Sequence, residues 1–176
     1  MSGLGHPDLE LLHQYWVSKK RGRAMPSRAD IDPVELPGRL WPQLMLIDVV
    51  RADGRTRFRY RHVGTAFTDA IGSEVTNRYF DEALPDRGGY RQYIIGIYDE
   101  LIRRREPLYT ENTFSFLHRA GPLLTRRLCM PLSSDGMTVD IVFSSHIFDY
   151  DRSYFEGGYV SQITGVEEVT RTVLKD

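Results

Sequence analysis

The chain has 176 residues, 41% hydrophobic and 27% charged, which suits one globular domain with a sizeable core and leaves little room for a second. Lys and Arg number 23 against 24 Asp and Glu, a formal net charge of -1, which is not the basic surplus of a dedicated nucleic-acid binder. One cysteine, Cys129, excludes an intramolecular disulfide and a thiolate metal cage. Met1 to Pro7 lacks a basic region followed by an apolar run, and no apolar stretch approaches the ~20 residues of a membrane span. Neither a secretory leader nor a membrane contact is expected, and a cytoplasmic location is the default.

The first predicted element is a helix from Asp8, read as its N-cap, to Gly22, read as the residue after its C-cap. Glu10 in its first turn and Lys19, Lys20 and Arg21 in its last match the helix dipole. Leu9, Leu12 and Trp16 share one face, which must dock on something. Four prolines, Pro26, Pro33, Pro37 and Pro42, then hold the chain extended, with short helical turns at most. Gln43 to Val50 and Thr56 to Val63 read as two strands joined by an Asp53-Gly54 turn. On the second strand Phe58, Tyr60 and His62 alternate with Arg57, Arg59 and Arg61, and the aromatic side is expected to face inward.

Ala66 to Ile71 reads as a short helix closed by Gly72, and Ser73 to Pro85 as turns with one more short helix. From Gly89 to Arg105, Tyr90, Ile94, Ile97 and Leu101 recur at helical spacing until Pro107 forbids continuation. Three strands follow: Leu108 to His118, Leu123 to Leu132 and Met137 to Phe148. Val166 to Leu174 reads as a final helix. The expected class is α+β: a five-stranded antiparallel sheet, a helical excursion between strands 2 and 3, and an N-terminal helix. The chain divides into an N-terminal helix and proline-rich segment (1–42), a core (43–150) and a tail (151–176). A sheet under a helical excursion encloses a space where small-molecule sites form.

Three blocks carry a likeness to a known family: Tyr15-Trp16 with Arg21 to Arg23 and Pro26 to Pro33, then Phe58 to Thr65, then Met130 to Leu132 with Asp135-Gly136. On these the sequence resembles a bacterial family of PAS-like proteins long classed as a domain of unknown function, from about Leu9 to Phe148. One departure is Asn77-Arg78, where the family pattern typically has Gly-Arg; Asn tolerates the left-handed conformation better than most residues. The resemblance implies a signalling or sensing role, usually without an attached kinase or cyclase. It brings no established catalytic residues.

The best candidate ligand site is the aromatic inner face: Phe58, Tyr60, Phe67, Tyr93, Ile97, Phe114, Phe116, Met130 and Phe143, residues that would equally make a filled core. His62 adds a polar hook or an axial haem ligand, against the simpler reading of a buried histidine bonded to a backbone carbonyl. His62 is the only ground for haem, and no other cofactor follows. His118 and His146 lie near strand ends, where exposure is the simpler account. Arg57, Arg59 and Arg61 suit an anion, or pairing with Asp30, Asp32, Asp48 or Glu111. Asp30, Asp32 and Glu35 read as capping and turn residues, and Cys129 as a packed thiol. Leu9, Leu12 and Trp16 would form a partner or homodimer seam if the first helix projects, and core if it folds back.

No nucleophile elbow, HExxH or phosphate loop is present, so catalysis is not expected. The leading expectation is a sensory domain that binds a small molecule or a signalling protein. The alternatives are an adaptor with a filled core, and an enzyme on a cone-shaped α+β scaffold whose only convergent polar groups would be Tyr60 and His62.

Overall fold

The computed structural model describes residues 3–117, 121–149 and 160–175. Helix α1 spans Pro7–Lys20 and three short 3-10 turns follow, Arg28–Asp30, Pro33–Glu35 and Gly38–Gln43. Strands β1 (Leu44–Ala52) and β2 (Arg55–Val63) precede helices α2 (Thr65–Ile71), α3 (Phe80–Ala83) and α4 (Tyr90–Arg104). Strands β3 (Leu108–Phe116), β4 (Leu123–Leu132), β5 (Ile141–Phe148) and β6 (Ile163–Val173) complete the chain. The sheet is antiparallel throughout, in the order β2-β1-β5-β4-β3-β6.

Local chemistry accounts for most boundaries. The cap of α1 is His6, whose Nδ1 accepts from the Asp8 amide at 3.2 Å, with Pro7 opening the helix. Asp8, expected as the cap, lies in the first turn and pairs with Arg39 at 2.9 Å. In the β1–β2 hairpin Asp53 (φ 52) and Gly54 (φ 71) are both left-handed, the turn whose twist matches its strands. Asn77 also takes the left-handed conformation (φ 68). Strand β5 starts four residues later than expected because Asp135 accepts from the amides of Met137 and Thr138, at 2.8 and 2.6 Å, and holds a turn there.

Six strands form where five were expected. Residues expected to end the chain as a helix are instead strand β6, hydrogen-bonded along the whole edge of β3. The segment is rich in β-branched residues: Ile163, Thr164, Val166, Val169, Thr170, Thr172 and Val173. A free strand edge beside them decides the matter. His118 lies outside the described residues.

Helix α1 folds back on its own sheet. Leu9, Leu12 and Trp16 are buried, and the Trp16 indole donates to the Pro131 carbonyl at 2.9 Å. These three side chains are therefore core, not an exposed seam. The 3-10 segment extends this cover with Met25, Ile31, Leu36 and Leu40. It is tied to α1 through Tyr15, whose hydroxyl accepts from the Asp32 amide at 2.8 Å, and through the Lys19–Glu35 ion pair. Asp30 caps its own turn, accepting from the Ser27 amide and hydroxyl. The acidic residues of this segment act as caps and clamps, as their turn chemistry suggested.

Helices α2 to α4 cover the opposite face, and one hydrophobic core runs from Leu4 to Ile163. Strand β6 meets the approach to α4 at Gly88 (φ 57), where a Cβ would stand 2.3 Å from the Thr164 carbonyl oxygen. Gly88→Ala should therefore cost about 1–3 kcal/mol in urea denaturation, combining backbone strain with a forced shift of β6. A cost near zero would mean that β6 does not pack there.

Candidate ligand site on the inner face of the sheet

The strand register assigns every side chain to a face. Ser144 pairs with Met45 and Cys129, and Cys129 with Leu108. Two residues along, Arg127 lies between His146 and Thr110; two further, Thr125 lies between Phe148 and Asn112. These rows face the helices: the Tyr98 hydroxyl of α4 is 3.3 Å from Ser144 Oγ, and Phe67 of α2 lies 6.0 Å from the His146 ring. The alternate row, Leu46, Phe143 and Met130, faces the α1 side.

Aromatic rings line the helix side. Tyr60 packs against Phe67 and Phe80, at 5.8 and 4.6 Å, and Phe58 against Phe80 and Tyr98, at 5.7 and 5.4 Å. Tyr90 meets Phe114 edge-on at 5.3 Å. Ile97 is buried on α4, Tyr93 half-buried beside it, and Phe116 buried past an irregularity in the β3–β6 register. Of the expected lining, Phe58, Tyr60, Phe67 and Phe114 thus come together. Met130 and Phe143 do not, since both lie on the α1 face.

His62 is also displaced from the expected face. The β1–β2 register runs Leu46–His62 and then Ile47–Tyr60, so Arg61 is a bulge. One extra residue turns the following side chain to the other face. His62 is exposed and lines an apolar groove of about 530 Å³ with Leu36, Trp41, Leu46 and Phe143. The arginine stripe is paired: Arg59 and Arg61 with Asp48, at 2.9 and 2.5 Å, and Arg57 with Asp81 and Glu82, at 2.8 and 2.7 Å. Arg57 also lies over the Tyr79 ring, 3.7 Å from its centre.

The polar residues of the inner face carry the chemistry, and the alternation pattern had put them on the less interesting side. Arg127 is 2% exposed. Its Nη2 lies 3.4 and 3.5 Å from the His146 ring nitrogens, its Nη1 has no partner, and no carboxylate among the described residues pairs with it. A guanidinium stays protonated in a protein. Its neighbours supply no negative charge near neutral pH. Burial pushes Tyr90 and Tyr93 up to about 12 and Cys129 to about 11, and holds Tyr60 and Tyr98 well above 10. Burial first, and then the Arg127 charge, hold His146 well below its usual range, so this ring is neutral and not the exposed histidine expected.

Beside Arg127, Asn112 and Thr110 are fully buried; neither the Asn112 amide oxygen and nitrogen nor the Thr110 hydroxyl has a hydrogen-bond partner. Each such group costs about 1–3 kcal/mol when unsatisfied, comparable in sum to the stability of a whole domain. In folded proteins such groups are satisfied by ordered water or by another polar group. A cation, an amide and a hydroxyl among aromatic rings can grip a small molecule that has one polar end. Among the described residues no group of three His, Cys, Asp or Glu side chains is placed to hold a metal ion, and no helix is long and apolar enough to cross a membrane.

With a sheet covered by helices on one face, a helical excursion between β2 and β3 and buried polar groups on the covered face, the comparison with known families becomes informative. A family model described as a PAS domain matches residues 4–143. The chain belongs to the PAS domain family. No curated protein matches it. The match takes in α1, the 3-10 segment and Arg127, Asn112 and Thr110 of this PAS domain, and ends inside β5, before His146, Phe148 and β6.

The neutral burial of His146 has a measurable consequence. An unfolded histidine takes up its proton near pH 6.5, whereas His146 in the folded chain does so only at much lower pH. Between those values the unfolded state binds more protons, so this contribution is complete above pH 6.5 and is lost as pH falls. The slope approaches about 1.4 kcal/mol per pH unit. His146→Gln should flatten the fall in unfolding free energy between pH 7 and 5 relative to wild type. Parallel profiles would mean that His146 titrates normally.

Proposed function

We propose that this PAS domain is a sensory module that holds a small molecule between the inner face of its sheet and helices α2 to α4, and reports occupancy through protein contacts rather than chemistry. The observation that carries this reading is Asn112: a fully buried amide, both polar atoms without a protein partner, set among Thr110, Arg127 and aromatic rings. A filled adaptor core would replace such a residue by an apolar one at no loss. The groove around His62 supports less, because its lining is mostly apolar and offers few groups to specify a ligand.

The reading excludes catalysis. Cys129 and the tyrosines keep their protons, His146 is neutral, and the groups in reach form no nucleophile–base pair. An output route lies next to the site. Asn112 pairs with Glu168 of β6, beside a register irregularity that leaves Val169 of β6 as the extra residue, so a ligand bonded to Asn112 bears on the outermost strand.

The test is mass spectrometry of small molecules released from purified native protein by denaturation. One species near molar equivalence is expected from wild type and none from Asn112→Leu. The variant should also melt higher than ligand-stripped wild type, because it removes two unsatisfied polar atoms. No released species, with Asn112→Leu less stable than stripped wild type, would overturn the interior site.

A further inference from the structure

We infer that the occupant of the inner face is a small monocarboxylate with a flat apolar body, seated by its carboxylate on the guanidinium of Arg127. The inference rests on the interior site proposed above and assigns its chemical class.

Charge is the first argument. Arg127 brings one positive charge to a position where it is 2% exposed and where no carboxylate among the described residues pairs with it. A buried charge without a partner costs several kcal/mol, so a matching anion binds with that cost relieved. The other cations nearby are already answered. Arg171, across from Thr110 in β6, is paired to Glu168 and Glu100 at 2.5 and 2.7 Å, and Arg126, on the opposite face, to Glu111 at 3.0 Å. Among the described residues Arg127 is the inner-face cation left without a carboxylate, which suits one negative charge. A phosphate dianion would need a second cation or a nest of backbone amides, and the inner strands supply neither.

Geometry is the second argument. A guanidinium presents its donors as a planar fork that fits the two oxygens of a carboxylate. His146 occupies the Nη2 side, and Nη1 is left to donate elsewhere. Thr110, directly across from Arg127, and Asn112, diagonally across, offer a hydroxyl and an amide to the same oxygens or to a polar group one or two bonds away. The rest of the wall is rings: Tyr90 against Phe114, Phe67 against His146, and His146 against Phe148 at 4.2 Å. Rings favour a flat body over a flexible chain.

The experiment uses the full chain stripped of small molecules, with acetate and benzoate as probes. Their neutral amides, acetamide and benzamide, and inorganic phosphate serve as controls, at constant ionic strength set with sodium chloride. Thermal midpoint and calorimetric affinity are read for wild type, Arg127→Met and Arg127→Lys. Benzoate should raise the wild-type midpoint by several degrees at concentrations well above its Kd, acetate less, and the amides not at all. Arg127→Met should weaken benzoate at least tenfold, and Arg127→Lys, which keeps the charge but loses the fork, by an intermediate factor. If Arg127→Met does not fold, the lysine variant decides.

Equal stabilisation by benzamide and benzoate, a larger shift with phosphate, benzoate binding unchanged in both variants, or no shift with either carboxylate would overturn the assignment. An uncharged species released from native protein would remove the carboxylate while leaving the interior site standing. Absence of any released species removes the interior site itself.

Discussion

A sheet covered on both faces has no solvent side, and each polar residue on its middle strands must be satisfied from within the molecule. In this domain the cover on one face is α1 with the 3-10 segment, and on the other α2 to α4. The α1 face meets the constraint in large part, by presenting Leu46, Phe143, Met130 and Leu128 to apolar partners, and leaves the buried Ser145 hydroxyl without a hydrogen-bond partner. The other face carries Arg127, Asn112, Thr110, Ser144 and His146, and only part of that set finds partners. Several kcal/mol of unmet polar burial is a large burden for a fold whose net stability is of the order of 10 kcal/mol. The apolar face and the anchoring of Trp16 on Pro131 give the fold the stability to tolerate it.

The same constraint explains what the amino-acid pattern conceals. Alternation separates the two faces of a strand but does not say which is which when both are buried. On β4, Leu124, Leu128, Met130 and Leu132 look like the inward set, yet they face α1, while Arg127 and Cys129 face the helices of the excursion. Phe143 and Ser144 are exchanged on β5 for the same reason. The polar residues most useful for recognition were therefore the ones that a hydrophobic reading sends to solvent. A signal did exist: α1 has its own apolar stripe of Leu9, Leu12 and Trp16, which needs one face of the sheet, so a second buried face had to be expected.

Other features were legible to the extent that their physics is local. The Asp53-Gly54 turn, the apolar stripe of α4 ended by Pro107, and the capping role of Asp30 depend on neighbours within a few residues, and all are found in the structure. His62 was missed because one bulge at Arg61 reverses a face, and no residue type marks the bulge. Strand β6 was missed because a charged, β-branched segment takes its structure from the edge that it meets, and β3 lies some fifty residues away. His146 was assigned to a strand end, but Arg127 of β4 and Phe67 of α2 lie against it there.

Strand β6 also changes how occupancy could reach the surface. In a sheet of five strands β3 would be an open edge, and Thr110 and Asn112 would sit one residue from solvent backbone. With β6 in place their row is internal, and what lies outermost is a half-exposed strand whose Arg171 pairs with Glu168 and reaches back to Glu100 on α4. Arg171 therefore touches three parts of the site at once: it pairs with Thr110 across the ladder, bonds α4, and stands 5.8 Å from the Tyr93 ring. A ligand that draws Thr110, Asn112 and Arg127 toward itself acts on the strand beside them. The irregular register opposite Glu111–Asn112, where Val169 is the extra residue, is a bulge of the outer strand β6 itself. In this arrangement Arg127, Thr110 and Asn112 and the outer strand's register are two ends of one short row of side chains, so the proposed occupant and the outer strand would be mechanically linked.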